Sequence, residues 1–87
     1  MNYRKLKEII NKNDPIGLID MGAPKDEYSS EIERILKCLN RKQKVAEVEK
    51  VILDVFSQMF GRDLAKRNEI ALKKVSLEIT EYHKILQ

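Results

Sequence analysis

Four acidic side chains lie in the segment DPIGLIDMGAPKDEY, which runs from residue 14 to residue 28. They are Asp14, Asp20, Asp26 and Glu27. Their carboxylate oxygens are the kind of ligand that hard cations such as Ca²⁺ prefer. Their spacing does not follow the repeated acidic pattern of a calcium-binding loop. Asp14 is better explained as a turn cap, and Asp26 and Glu27 as charges before a helix. We therefore predict no metal site in this segment.

Cys38 and His83 are the one cysteine and the one histidine of the chain. Nucleophilic catalysis needs a nucleophile, a base and an orienting group that converge. Cys38 has cations nearby that can activate a thiol, but a structural or incidental cysteine is the more frequent case. The helical wheel places His83 beside the apolar stripe of the last helix, so we expect it half exposed, as a favourable charge near a helix C-terminus. The glycines are isolated and form no phosphate-binding loop, and we predict neither a cofactor nor an enzyme.

The length of 87 residues is that of one domain, with a net charge of +3. No apolar run approaches the roughly 18 residues that are needed to span a bilayer. The first twelve residues, MNYRKLKEIINK, lack the long apolar segment of a signal peptide. A single cysteine excludes an internal disulfide and fits a reducing compartment. We expect a cytoplasmic protein without membrane association.

Apolar residues recur at helical spacing along most of the chain, and no segment reads as a strand. We predict an all-α fold, a compact four-helix domain with a long structured loop between helices 1 and 2. The predicted helices cover residues 2–12, 29–40, 43–60 and 64–86. Ser30 with Glu33 has the spacing of a capping box at the start of helix 2. Gly61 ends helix 3, and Asp63 caps helix 4.

Helices 3 and 4 carry apolar seams with matching steps, which predicts that the two helices pack against each other in antiparallel fashion. The seam residues are Val45, Val48, Ile52, Val55 and Met59 in helix 3, and Leu72, Val75, Ile79, Tyr82 and Leu86 in helix 4.

The loop between helices 1 and 2 is too apolar for a free linker, because it contains Ile16, Leu18, Ile19 and Met21. Asp14 followed by Pro15 fits the start of a short helical turn over residues 15–19. We expect the Tyr28 ring to be buried and its hydroxyl to find a partner near the loop.

The residues DPI at 14–16 and DEYSSEI at 26–32 carry a resemblance to a known family. The chain resembles the small bacterial YugE-like family, whose pattern is Trp-Asp-Pro-Ile followed by Asp-Glu-Tyr-Asp at the start of a helix. Asn13 replaces the Trp of that pattern, and Ser29 replaces its last Asp. The resemblance implies a small all-helical fold and no assigned chemistry, since the family is catalogued as a domain of unknown function. A similar pattern occurs in proteins that resemble toxin-neutralising immunity proteins.

Taken together, these features favour a non-catalytic protein–protein interaction module, either an adaptor or an immunity-like neutralising partner of an unidentified protein. The candidate surface joins the acidic loop to a basic stripe on helix 2. Its residues are Asp14, Asp20, Asp26, Glu27, Arg34, Lys37 and Arg41.

The alternative is weak nucleic-acid binding through the same helix 2 stripe, whose cations could follow phosphates. We rank it lower, because the solvent face of helix 3 carries Glu47, Lys50 and Asp54 and would be repelled by a phosphate groove. The aromatic residues also belong to predicted buried stripes and cannot stack on bases.

Helix 4 has a second apolar face, formed by Ile70 and Leu77, which are seven residues apart. The 100° step per residue places them opposite the buried seam. Two isolated exposed apolar residues need no explanation, and a helix lying deeper in the monomer would bury both faces. The third interpretation is a homodimer about a two-fold axis near Leu77.

Overall fold

Five α-helices are present in residues 1–86, the part of the chain that the computed structural model describes, and this part has no strand. The helices are α1 (Tyr3–Asn13), α2 (Ser29–Cys38), α3 (Val45–Phe60), α4 (Arg62–Arg67) and α5 (Glu69–Leu86). The all-α prediction is confirmed. The predicted count of four is corrected to five, because the last predicted helix is two helices. In this part of the chain, none of the five is long and apolar enough to cross a membrane.

The break between α4 and α5 lies at Asn68. Its side-chain amide donates to the carbonyl of Leu64 at 2.9 Å, and its backbone N–H reaches the same carbonyl at 3.2 Å. Asn68 therefore caps α4. The start of α4 also differs from the prediction. Gly61, at φ 93°, both ends α3 and precedes Arg62, so Asp63 lies inside the first turn of α4 instead of capping it.

The four longer helices close a ring around the core. α3 packs against α2, α4 and α5, and α1 lies against both α2 and α5. Lys12 of α1 forms an ion pair with Glu78 of α5, which joins the first and last helices. Tyr28 and Phe56 lie at the centre of the core, with ring centroids 6.1 Å apart. The other fully buried large side chains include Leu6, Ile10, Ile32, Ile35, Val48, Ile52, Leu72, Val75 and Ile79.

The predicted packing of helix 3 against the last helix is confirmed, because α3 and α5 are in contact and the middle of each seam is buried. Both ends of the helix 3 seam and the last residue of the helix 4 seam are not buried. Val45, Met59 and Leu86 are exposed in the first or last turn of their helices, whereas Leu72, the first residue of the second seam, is fully buried.

The start of α2 differs from the predicted capping box. Tyr28 is the N-cap residue, and it makes no side-chain capping bond. Ser30 and Glu33 both lie inside the helix. The reason is that the Tyr28 ring is anchored in the core, which places the first helical turn immediately after it. The carbonyl of Tyr28 accepts the N–H of Ile32 at 2.9 Å.

Candidate functional site

The loop from Asp14 to Tyr28 is organised by the Asp14 carboxylate. One oxygen, Oδ1, accepts the hydroxyl of Tyr28 at 2.7 Å and the N–H of Ile19 at 3.0 Å. The other oxygen, Oδ2, accepts the N–H of Asp20 at 2.9 Å. The Tyr28 oxygen in turn accepts the N–H of Ile16 at 3.1 Å. Asp14 and Tyr28 together therefore hold several backbone amides of the loop.

The backbone of Asp14 explains why the chain turns here. Asp14 is the C-cap residue of α1, in the left-handed region at φ 43° and ψ 59°, and its N–H donates to Ile10 at 2.7 Å. The prediction that Asp14 starts a helical turn over residues 15–19 is wrong, because this segment forms turns and a bend and contains no helix. The Asp14 carboxylate still caps the loop, but it accepts hydrogen bonds from the backbone N–H groups of Ile19 and Asp20, which lie five and six residues later.

The two side chains are matched in charge as well as in position. Burial raises the pKa of Asp14, but the hydrogen bonds from Tyr28 and from loop amides outweigh it, so the pKa lies below its usual value. Burial and the hydrogen bond to Asp14 raise the pKa of Tyr28 to about 12. At neutral pH, an ionised carboxylate therefore faces a protonated hydroxyl, which is a charge-assisted hydrogen bond.

The remaining acidic residues of the loop point to solvent. Asp20, Asp26 and Glu27 are exposed, and the Asp26 carboxylate lies 4.0 Å from the Lys7 ammonium of α1. Met21 is 73% exposed. The loop thus presents acidic groups and one thioether at the surface, while its backbone is held from inside.

The apolar residues of the loop explain how it is held. Ile16, Leu18 and Ile19 pack in part against the core, as the sequence predicted for some of the loop's apolar residues. Pro15 is fully buried.

The predicted basic stripe of helix 2 is divided in the structure. Arg34 and Lys37 are exposed on α2, and Arg34 donates to the side-chain oxygen of Gln58 on α3 at 3.3 Å. α2 ends at Cys38, which is exposed, so Arg41 lies in the following turn and not on the helix face.

Arg41 instead lines a surface depression of about 360 Å³. The depression is lined by Arg41, Lys42, Gln43, Lys44, Val45, Thr80, His83 and Lys84. Four of these side chains are cationic and none is acidic. Three of these cations, Arg41, Lys42 and Lys44, lie together in the run KCLNRKQK. Nothing in the sequence around Lys84 indicates that this residue of α5 lies beside them.

His83 is buried at this depression, with 2% of its surface exposed, so the expectation of a half-exposed histidine is wrong. Neither ring nitrogen has a hydrogen-bond partner among the described residues. Burial lowers the pKa of His83, as do the positive charges of the N-terminal amine and Arg41. The imidazole is therefore neutral at pH 7.

The burial of His83 follows from a buried face of α5 that is wider than its apolar stripe. Ser76 and Thr80 are also buried, and each hydroxyl donates to the carbonyl four residues earlier, at 3.0 and 2.8 Å. Small polar residues that satisfy themselves in this way can line a core. Residues 76, 80 and 83 follow helical spacing, which is the signal that a search for apolar residues misses.

Within residues 1–86, no group of three or more His, Cys, Asp or Glu side chains is arranged to hold a metal ion. Comparisons of the chain with protein-family models, with curated proteins and with solved structures give no match. The resemblance to the YugE-like family therefore stays a prediction.

Proposed function

We propose that this chain is a non-catalytic protein-binding module, acting in the cytoplasm as an adaptor or as the neutralising partner of another protein. The observation that carries the proposal is the hydrogen bond between Tyr28 and Asp14, which orders the loop beneath its exposed acidic residues. Membership in the YugE-like family is part of the proposal. It supplies a fold and no chemistry.

The physical argument is preorganisation. A loop that is flexible before binding loses roughly 0.5–1.5 kcal/mol for each side chain that becomes immobile in a complex. The loop from Asp14 to Tyr28 is already fixed by hydrogen bonds to side chains at its two ends. Its exposed residues can therefore bind a partner without the full ordering cost.

The charges of this surface define the chemistry of the partner. Asp20, Asp26 and Glu27 favour a basic patch on the other protein, which would also speed association. Arg34 and Lys37 lie on α2, which begins just after Glu27 and Tyr28 and rises about 1.5 Å per residue. These two cations favour an acidic patch on the partner, beside its basic patch. A partner with both charges side by side fits this surface better than a uniformly charged one.

Affinity capture from a lysate of the native cells, with mass spectrometry, tests the proposal. We expect the wild-type protein to retain a stoichiometric protein partner and the Asp20→Asn/Glu27→Gln variant to lose it. The control Asp54→Asn/Asp63→Asn removes the same charge from exposed positions on α3 and α4 and should retain the partner. A wild-type protein without a stoichiometric partner contradicts the function, and equal capture by the loop variant contradicts the surface.

The depression lined by four cations favours a second candidate function, the binding of a nucleic-acid backbone. Arg41 belongs to both the predicted stripe and this depression.

Anisotropy titrations with duplex and single-stranded DNA at two salt concentrations separate the two functions. Nucleic-acid binding predicts micromolar affinity that weakens as salt rises, and a further loss in Lys42→Gln/Lys84→Gln. The control Lys50→Gln/Lys66→Gln removes two exposed cations elsewhere and should bind as the wild type does. Binding that is absent at low salt removes the second candidate.

A further inference from the structure

One face of α5 carries exposed apolar residues that the fold does not cover. Ile70 is 79% exposed, Leu77 is 50% exposed and Ile85 is 81% exposed. Lys74 and Glu81 are exposed between them. These five residues, which we call the α5 strip, follow one another at intervals of four, three, four and four residues. The strip lies away from the buried seam of the same helix.

The order of side chains along the α5 strip is apolar, positive, apolar, negative, apolar. Ile70 and Ile85 are equally far from the midpoint between residues 77 and 78, and so are Lys74 and Glu81. An antiparallel copy of the strip centred on that midpoint therefore places each Lys74 opposite the partner's Glu81, and each Ile70 opposite the partner's Ile85. Leu77 meets the partner's Leu77 beside the axis. A parallel copy places like charges together, which is unfavourable.

We propose that two copies of this chain associate through their α5 strips, antiparallel, about a two-fold axis beside Leu77. The contact is isologous, so each half supplies the same residues to the other and the assembly closes as a dimer. The two opposite-charge pairs select the antiparallel direction, and the apolar residues supply the buried surface. This inference is independent of the function proposed for the loop.

The neighbouring residues are compatible with such a contact. Glu78, next to the midpoint, accepts hydrogen bonds from Lys12 and Asn13 of α1, so its charge is compensated within one copy. Lys73 pairs with Glu69 at 3.2 Å, which leaves Lys74 as the cation that lies along the strip.

Shallow depressions between α1 and α5 border the strip and leave room for the side chains of a second copy. One borders Ile70 and Lys74, a second borders Lys74 and Leu77, and a third borders Glu81 and Ile85.

The affinity of this dimer is expected to be modest. A stable interface buries about 800 Å² on each partner, and a single helix face supplies less than that. We expect a dissociation constant weaker than about 1 μM, so the association has to be measured at high protein concentration.

Charge exchange across the two-fold axis is the decisive experiment. We expect Lys74→Glu and Glu81→Lys each to weaken dimerisation about tenfold or more. Each substitution turns both of the opposite-charge pairs in the dimer into like-charge pairs. The double variant Lys74→Glu/Glu81→Lys restores both pairs with their signs reversed and should dimerise within about threefold of the wild type. Sedimentation equilibrium from about 10 μM to about 1 mM at low salt gives the dissociation constants of the wild type and the three variants.

Lys50→Glu, an exposed charge reversal on α3, is the matched control and should leave the constant unchanged. Leu77→Glu should abolish the dimer, and circular dichroism checks that each variant is folded. A wild-type protein that is monomeric at about 1 mM overturns the proposal. A double variant that is no better than either single variant overturns the antiparallel register, whatever the behaviour of Leu77→Glu.

Discussion

The hydroxyl of Tyr28 donates a hydrogen bond to the carboxylate of Asp14 at 2.7 Å, although the two residues are fourteen positions apart in the chain. Asp14 ends α1, and Tyr28 immediately precedes α2. The bond therefore ties together the two ends of the loop. Backbone N–H groups from the loop between them donate hydrogen bonds to the same two side chains. Anything that weakens this pair should loosen the whole loop.

Tyr28→Phe should lower the free energy of unfolding by about 1–3 kcal/mol, because it removes a hydrogen bond to a charged group and leaves loop amides without their acceptor. The ring itself keeps its packing against Phe56. Urea denaturation of the variant and the wild type measures the difference. Tyr3→Phe, at a half-buried tyrosine on α1, is the control and should cost less. A Tyr28→Phe variant as stable as the wild type would show that the hydroxyl contributes nothing.

Replacement of Asp14 separates the carboxylate from the backbone. Asp14→Gly removes the acceptor but tolerates the left-handed conformation at φ 43°, whereas Asp14→Ala removes the acceptor and adds backbone strain. Both should be destabilised, and the alanine variant by about 1 kcal/mol more than the glycine variant. Thermal melts of the two variants and the wild type give the order. Equal stability of all three proteins would sink the capping role.

The stability of the protein should fall at alkaline pH as Tyr28 ionises. Its folded-state pKa of about 12 lies above the ordinary value of 10.0, so the stabilisation is complete below pH 10 and is lost as pH rises from 10 to about 12. Urea midpoints measured across this range should fall more steeply for the wild type than for Tyr28→Phe.

Acidification should destabilise the protein through His83. Its folded-state pKa is lowered from 6.5, so below that pH the unfolded chain takes up a proton that the folded chain resists. Stability should therefore decrease as pH falls below 6.5, and His83→Leu should remove this part of the dependence. The leucine variant should be at least as stable as the wild type at pH 7, since the buried ring nitrogens have no hydrogen-bond partner within residues 1–86 that would be lost. Parallel acid dependence in both proteins would contradict the assignment.

The all-α class and the middle of each helical face were predictable from the amino-acid sequence. Residues such as Ile52 and Val75 repeat at the helical period, and this pattern is local. The sequence also predicted that α3 ends at Gly61, and that the Tyr28 ring is buried while its hydroxyl forms hydrogen bonds near the loop. A glycine at a helix end and a tyrosine beside an apolar loop each restrict the chain through their own chemistry.

Which polar residues are buried, and which distant residues meet, depends on how the helices pack together. His83 is buried because neighbouring helices cover a side of α5 whose hydroxyls bond to their own backbone, and hydropathy does not register that side. Lys84 joins Arg41 because α5 returns to the turn after α2, a contact between residues far apart in the chain. The left-handed turn at Asp14 and its choice of loop amides likewise depend on where the core holds Tyr28. Such contacts form between segments whose separate patterns carry no information about each other.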